Sequence, residues 1–225
     1  MKDAFGAKET YHILLRQLNL FWPTKTDAQL LVDVEYAINR TKEGWNESTR
    51  LYYLNNGFSV LNTAVYSVFL YYLGHEIGTR KEAGGDNIEF ADKLYYLNKM
   101  MNSVEWYWNI KLPKHFIVEH PIGSVLGKGV YGDYFSIYQG VTVGERLSRD
   151  KVDWPRIGHH VTMFANSSVI GNCNIGNWVI VSANTYILNQ NVPDCSIVFG
   201  SSPNLIVKTY DEDRIKEYFV KSWKL

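Results

Sequence analysis

Apolar side chains recur every six residues through the last third of the chain, at Ile157, Met163, Val169, Ile175, Val181 and Ile187. Four residues after each comes a smaller or more polar one: Val161, Ser167, Cys173, Val179, Thr185 and Asn191. An amphipathic helix repeats near 3.6 and a half-buried strand at two, so a period of six fits neither. It predicts a parallel β-helix, in which each hexad forms one flat side and successive coils stack. The beat extends upstream through Tyr131, Ile137 and Val143, slips by one between Leu126 and Tyr131, and breaks over residues 145–156. Loops thrown out of such a coil are where binding chemistry concentrates.

Gly127, Gly132, Gly158, Gly171 and Gly176 fall near the corners between hexads, where a positive φ is useful. Asn172, Asn174, Asn177 and Asn184 suit the same corners. Beyond Asn191 the segment Val192-Pro193-Asp194 reads as a turn that ends the pattern. Residues 211–223 place charged and aromatic side chains at helical spacing, predicting a short helix that covers the open end of the coil and shields its unpaired backbone groups.

The first half has a different periodicity. Residues 9–21 carry Tyr11, Leu14, Leu15, Leu18 and Phe21 at three- and four-residue spacing, and Pro23 stops the helix. Residues 27–38 repeat this with Leu30, Leu31, Val34 and Ile38, with Thr24 or Thr26 as the cap. A third helix is expected over 48–74, broken near Asn55-Asn56-Gly57, and a fourth over 88–101 after the Gly84-Gly85-Asp86 turn. The third is apolar nearly all round, which places it inside the bundle or at a subunit contact. Its aromatic neighbours read as core, the alternative being that Trp45, Tyr52 or Tyr53 lines an acceptor pocket. The fold class is α+β: a helical bundle at 1–108, a β-helix at 109–207 and a tail helix at 208–225.

Composition narrows the function. The 225 residues hold 23 Lys and Arg against 23 Asp and Glu, so no electrostatic attraction to nucleic acid or an anionic membrane is expected. Cys173 and Cys195 read as reduced packing residues rather than a disulfide or metal pair. Residues 1–8 lack the apolar core of a secretory signal. The apolar stretch 58–73 is interrupted by Ser59, Asn62, Thr63 and Ser67, which argues against a membrane span. A cytoplasmic protein is expected.

Residues 118–207 resemble the hexapeptide-repeat acyltransferases, and within them the serine acetyltransferase branch. The stretch from Val118 through Glu119, His120 and Pro121 to Gly127 is similar to that branch's hydrophobic–Asp-His–x–x–Gly segment, with Glu119 in place of the Asp. Residues 136–144 resemble its strand entering the extended loop, Pro155-Arg156-Ile157-Gly158 resembles the exit, and Pro203 falls in its terminal acyl-CoA motif. The resemblance implies a left-handed parallel β-helix assembled as a homotrimer, with a dimer of trimers as a further level and acyl-CoA lying between subunits. It also implies an acetyl-CoA-dependent O-acetyltransferase.

Acyl transfer from a thioester to a hydroxyl needs a base and donors for the tetrahedral oxyanion, and no metal. Of the six histidines, His120 alone falls in the catalytic motif, and the resemblance assigns it the general base. His159 and His160 follow a corner and are expected to be exposed. A carboxylate that orients the imidazole improves such a base. Asn109 occupies the place of the family's Asp; Glu105, Glu119 and Asp133 are also near in sequence, with Glu119 and Asn109 leading. For acetyl-CoA the matched positions are Gly144, Ala165, Ala183 and Ser201, small residues that let the pantetheine arm approach the backbone. Lys208 and Lys221 are candidates for the phosphates.

The loop departs from the family. Where serine acetyltransferases carry an Arg-His pair that reads the amino acid's carboxylate, this chain has Asp153-Trp154, with Arg146 and Arg149 earlier in the loop. A desolvated carboxylate without an anchor is costly, whereas Trp154 offers a stacking face for a sugar ring. The acceptor is expected to be a small hydroxylated molecule, serine, a related amino acid or a sugar, with the loop favouring a sugar or an amino acid other than free serine. The alternatives are N-acylation of an amino sugar and a non-catalytic β-helix scaffold.

Overall fold

The computed structural model describes residues 3–25, 28–50, 57–80, 85–147 and 151–224. Four helices come first: α1 (Ala7–Phe21), α2 (Ala28–Asn46), α3 (Thr63–Thr79) and α4 (Gly85–Asn102). Glu9 reaches back to the Gly6 N–H at the start of α1, and Leu14 and Leu18 bury its inner face. Helix α2 runs eight residues beyond the expected 38, because Thr41 and Trp45 continue its buried face. Thr24 does not cap it: its hydroxyl donates to the Trp22 carbonyl, and Thr26 lies outside the described residues. Helix α3 starts later than the expected 48. Asn62 accepts from the Ala64 and Val65 N–H groups and sets its start, Ser48 pairs instead with Trp223, and residues 51–56 lie outside the described set. Every side chain from Ala64 to Leu73 is buried, as an all-round apolar helix requires. Trp45 is core as well; Tyr52 and Tyr53 lie outside the described residues.

A parallel β-solenoid of about five turns follows. One flat side, face A, stacks β2 (Phe116–Val118), β5 (Phe135–Ile137), β10 (Val161–Met163), β13 (Val179–Val181) and the start of β15 (Ser196–Ser201). Face B stacks β1 (Glu105–Trp106), β3 (Val125–Leu126), β6 (Thr142–Gly144), β11 (Ser168–Ile170) and β14 (Tyr186–Leu188). Face C stacks β4 (Val130–Tyr131), β9 (Arg156–Ile157) and β12 (Asn174–Ile175), and Val192 extends it by bridging to Ile175. Val192 thus continues the inward column with a slip of one residue rather than ending it, and Val198 follows beneath Val181. The register explains the period of six. Ile137, Met163, Val181 and Val198 form one inward column, Val143, Val169 and Ile187 a second, and Tyr131, Ile157 and Ile175 a third. The second offset is buried too at Val161, Ser167, Cys173, Val179 and Thr185. Asn191 instead is exposed and accepts from the Asn174 N–H.

The corners use Gly171 and Asn184 as expected and otherwise other residues. Positive φ falls on His120, Tyr134, His160, Asn166, Trp178, Asn184, Asn189 and Cys195, and on Gly123, Gly140, Gly171 and Gly200. Of the four asparagines expected there, Asn184 alone adopts it. Gly132, Gly158 and Gly176 are needed for space, since a Cβ on each would approach the next coil to 2.4, 2.5 and 2.3 Å.

The helices pack on the first coil. The Tyr71 hydroxyl donates to the Ile110 carbonyl and accepts from the Leu112 N–H, and the Tyr72 hydroxyl donates to the Pro113 carbonyl. Apolar residues of both parts form one continuous core. The C-terminal helix, α5 (Glu212–Phe219), does not close the end of the solenoid as expected. That end is covered by β16 (Asn204–Thr209), antiparallel to β15. Helix α5 turns back along the corner between faces C and A, where Phe219 meets His160 and Trp178, and Trp223 meets Tyr134 and His115. The tail ends on the helical part, the Lys224 N–H donating to the Glu47 carbonyl. No described helix is long and apolar enough to cross a membrane.

Candidate functional site

The turn from face A to face B is four residues long on the second, third and fourth coils, at 138–141, 164–167 and 182–185, and six on the first, at 119–124. The two extra residues make a bulge carrying His120. The Glu119 N–H donating to Ile137 and the Gly140 N–H donating to Ile122 tie the bulge to the next coil. His120 is exposed and holds φ 49° directly before Pro121. A left-handed non-glycine residue in that position costs on the order of 1–3 kcal/mol. The bulge aims an imidazole outward from an otherwise regular edge.

Neither leading orienter meets His120. The Glu119 carboxylate turns away to Arg50 Nη1 at 2.7 Å. Asn109 lies on an exposed turn closed by the Ile110 N–H bonding to Tyr107, and no hydrogen bond joins it to His120. Glu105 sits closer. Its N–H donates to the Ser124 carbonyl at 2.9 Å, and the neighbouring Ser103 carbonyl accepts from Gly123, so β1 is clamped against the turn that carries the base. The Glu105 carboxylate pairs with Lys99 at 2.7 Å. Asp133 is committed to His115, receiving its backbone N–H at 2.6 Å and facing its Nδ1 at 2.8 Å. Burial works to raise the Asp133 pKa, and the His115 bonds outweigh it and hold the carboxyl below its ordinary value.

The cofactor candidates divide between edges. Ala165 and Ala183 stack one coil apart on the edge of His120, the Ala165 carbonyl accepting from Asn184. Lys208 lies at the far end of face A, opposite Ile197, with Nζ 5.4 Å from the Phe199 ring centre. Ser201 is exposed at the end of β15, opposite Asn204. Gly144 ends β6 on the next edge, its carbonyl accepting from Gly171. The loop springs from that same edge as a hairpin of β7 (Arg146–Leu147) and β8 (Val152–Asp153). Asp153 pairs with Lys151 at 3.2 Å, and Lys128 Nζ lies 4.0 Å above the Trp154 ring. Arg149 lies outside the described residues. Within one chain, then, the loop and the base stand at different corners of the triangular coil.

His159 and His160 differ. His159 is exposed, its Nδ1 accepting from the Asp133 N–H. His160 is partly buried rather than exposed, stacked between Tyr134 at 4.3 Å and Trp178 at 3.7 Å. Burial, helped by the neighbouring His159, pushes its pKa down to about 4.

The sequence reading missed Arg50. Its Nη2 donates to the Tyr138 hydroxyl at 3.0 Å and to Ser222 Oγ at 2.9 Å. A groove of about 460 Å³ opens beside it, between face A and α5, lined by Phe164, Ile180, Ile197, Phe219 and Lys221 among others. Arg50 and Glu119 are 69 positions apart in the chain, and no local pattern marks the pair.

No protein-family profile matches the chain. A serine acetyltransferase of Synechococcus elongatus is 31% identical over 106 residues, 47% of this chain and 43% of that protein. One of Staphylococcus aureus is 30% identical over 145 residues, 64% of this chain and 65% of that protein. The chain spans less than two thirds of the length of either. Among solved structures, the serine acetyltransferase of Neisseria gonorrhoeae superposes with a TM-score of 0.61 at 19% identity, over 85% of this chain and 72% of that one. A serine O-acetyltransferase of Brucella melitensis gives 0.65 at 19% identity, over 92% and 84%. The chain has the serine acetyltransferase fold. Because the Brucella superposition takes in 92% of the chain, the shared architecture includes the helical part as well as the solenoid. A serine acetyltransferase in complex with CoA superposes as well, with a TM-score of 0.59 at 15% identity over 89% and 76%.

Proposed function

We propose that the protein is an acetyl-CoA-dependent O-acetyltransferase of a small hydroxylated acceptor, with His120 as general base. The observation that carries this reading is the two-residue bulge that presents His120 at the head of an edge lined by Ala165 and Ala183, on a fold for which a CoA complex is known. Five strand spacings of about 4.8 Å, from β2 through β5, β10, β13 and β15 to β16, put Lys208 roughly 24 Å from His120 down the stack, a length suited to an extended pantetheine arm with its phosphates at the lysine. His120 takes the acceptor's proton as its oxygen attacks the thioester carbonyl. The tetrahedral oxyanion is met by a backbone N–H, for which Gly144 is the candidate, and collapse returns the proton to the departing thiolate.

Glu105, whose backbone is clamped beside the turn and whose pair with Lys99 is half exposed, joins Glu119 and Asn109 as a candidate for orienting the imidazole. Because Gly144, Asp153 and Trp154 stand at a different corner from His120, a complete site needs the loop edge of one subunit against the His120 edge of another, which supports a trimer. Trp154 supports an acceptor with a ring to stack.

The test is thiol release from acetyl-CoA with serine, homoserine and a panel of sugars. His120→Ala is expected to lower turnover by about 10²–10⁴-fold. An unchanged rate, or no release with any acceptor, removes the assignment.

A further inference from the structure

Resting on that reading, we infer that Arg50 determines acceptor specificity, reserving the site for acceptors whose hydroxyl-bearing end is uncharged. An amino alcohol holds its ammonium within about 4 Å of the reacting oxygen, so the ammonium must sit beside whatever flanks His120. Three carboxylates belong to this chemistry by position, and each already has a resident cation: Glu119 with Arg50, Glu105 with Lys99, and Asp153 with Lys151.

The last two pairs are weak competitors. Lys99 and Glu105 are about half exposed, at 46% and 48%, and Lys151 is 64% exposed; such pairs contribute little and are screened by salt. Arg50 and Glu119 are different, with side chains only 19% and 20% exposed. The guanidinium is also fixed by Tyr138 and Ser222, and its carbon lies 5.5 Å from the Tyr138 ring centre. Ser222 is in turn tied down, its carbonyl accepting from Ser48 Oγ and the Thr49 N–H. The charge of the carboxylate one residue before the base is therefore cancelled by a guanidinium that the fold itself holds in place. An incoming ammonium would have to displace it or lie beside a like charge, and both cost binding energy. An uncharged polyol meets neither obstacle.

The test compares matched acceptors that differ by one amine, glucosamine with glucose and ethanolamine with ethylene glycol, at about pH 6.5 where the amines are charged. CoA release is measured for wild type, Arg50→Met and Arg50→Lys. Wild type is expected to favour the uncharged member of each pair in kcat/KM. Arg50→Met should raise the amine-to-uncharged ratio about tenfold, and Arg50→Lys should keep the wild-type ratio. A purely structural role lowers both members together and leaves the ratio unmoved, which overturns the inference, as does a wild type that uses the amines equally well. If wild type releases CoA with no acceptor, the acetyltransferase reading falls by itself. Calorimetric binding of the same pairs then decides: tighter amine binding to Arg50→Met upholds the role of Arg50, and no gain overturns it.

Discussion

Gly158 shows how much of a solenoid rests on single atoms. A Cβ there would lie 2.5 Å from the Gly176 carbonyl oxygen and 2.9 Å from the Asn177 nitrogen, and these are backbone atoms of the next coil, unable to rotate aside. Gly158→Ala is expected to cost about 2–3 kcal/mol, lowering the melting temperature by roughly 5–10 °C in a thermal scan. His120 uses the backbone in the opposite way. Its left-handed φ stores strain so that the imidazole leaves the line of the edge. The histidine was legible in the sequence because its neighbours resemble a motif. Its bulge was not, since whether a turn has four or six residues is visible only after the flanking strands are paired.

At the scale of elements, the corner between faces C and A is a column of rings, His115, Tyr134, His160 and Trp178, with spacings of 4.4, 4.3 and 3.7 Å. The tail lays Phe219 and Trp223 edge-on against it. His160 within this column has its pKa pushed down to about 4, against about 6.5 in an unfolded chain. Between those values the unfolded state binds more protons, so stability falls as pH drops from about 6.5 to 4 and does not return below that. The depressed Asp133 carboxyl adds a loss only at lower pH, when it too is protonated. His160→Phe keeps a ring in the stack and removes the titrating group. Urea midpoints measured at pH 7 and pH 4.5 should therefore differ less in the variant than in wild type; equal differences would show that the acid sensitivity arises elsewhere. The sequence showed none of this stacking, and His160 was expected to be exposed, because corner rings separated by 19, 26 and 18 residues have no local periodicity to betray it.

The whole molecule separates what a single active site needs. His120 stands on one edge, and the loop with Asp153 and Trp154 on another. If sites form between subunits, His120→Ala and Trp154→Ala damage opposite halves of each interface. Chains carrying one change each, mixed and reassembled as trimers, should recover activity at roughly a quarter of the sites. A mixture no more active than its parents would place each site within one chain.

The sequence by itself determined the solenoid, its three-sided period, the helical first half and the histidine worth testing, because each is written in spacings of fewer than about 20 residues. Tertiary structure decided the partners. Arg50 reaches Glu119 and Ser222 across 69 and 172 positions, α5 runs back along the coil instead of capping it, and β16 covers the end. Charge pairing and burial depend on distances in space, and chain spacing does not encode those once the backbone has turned through several coils.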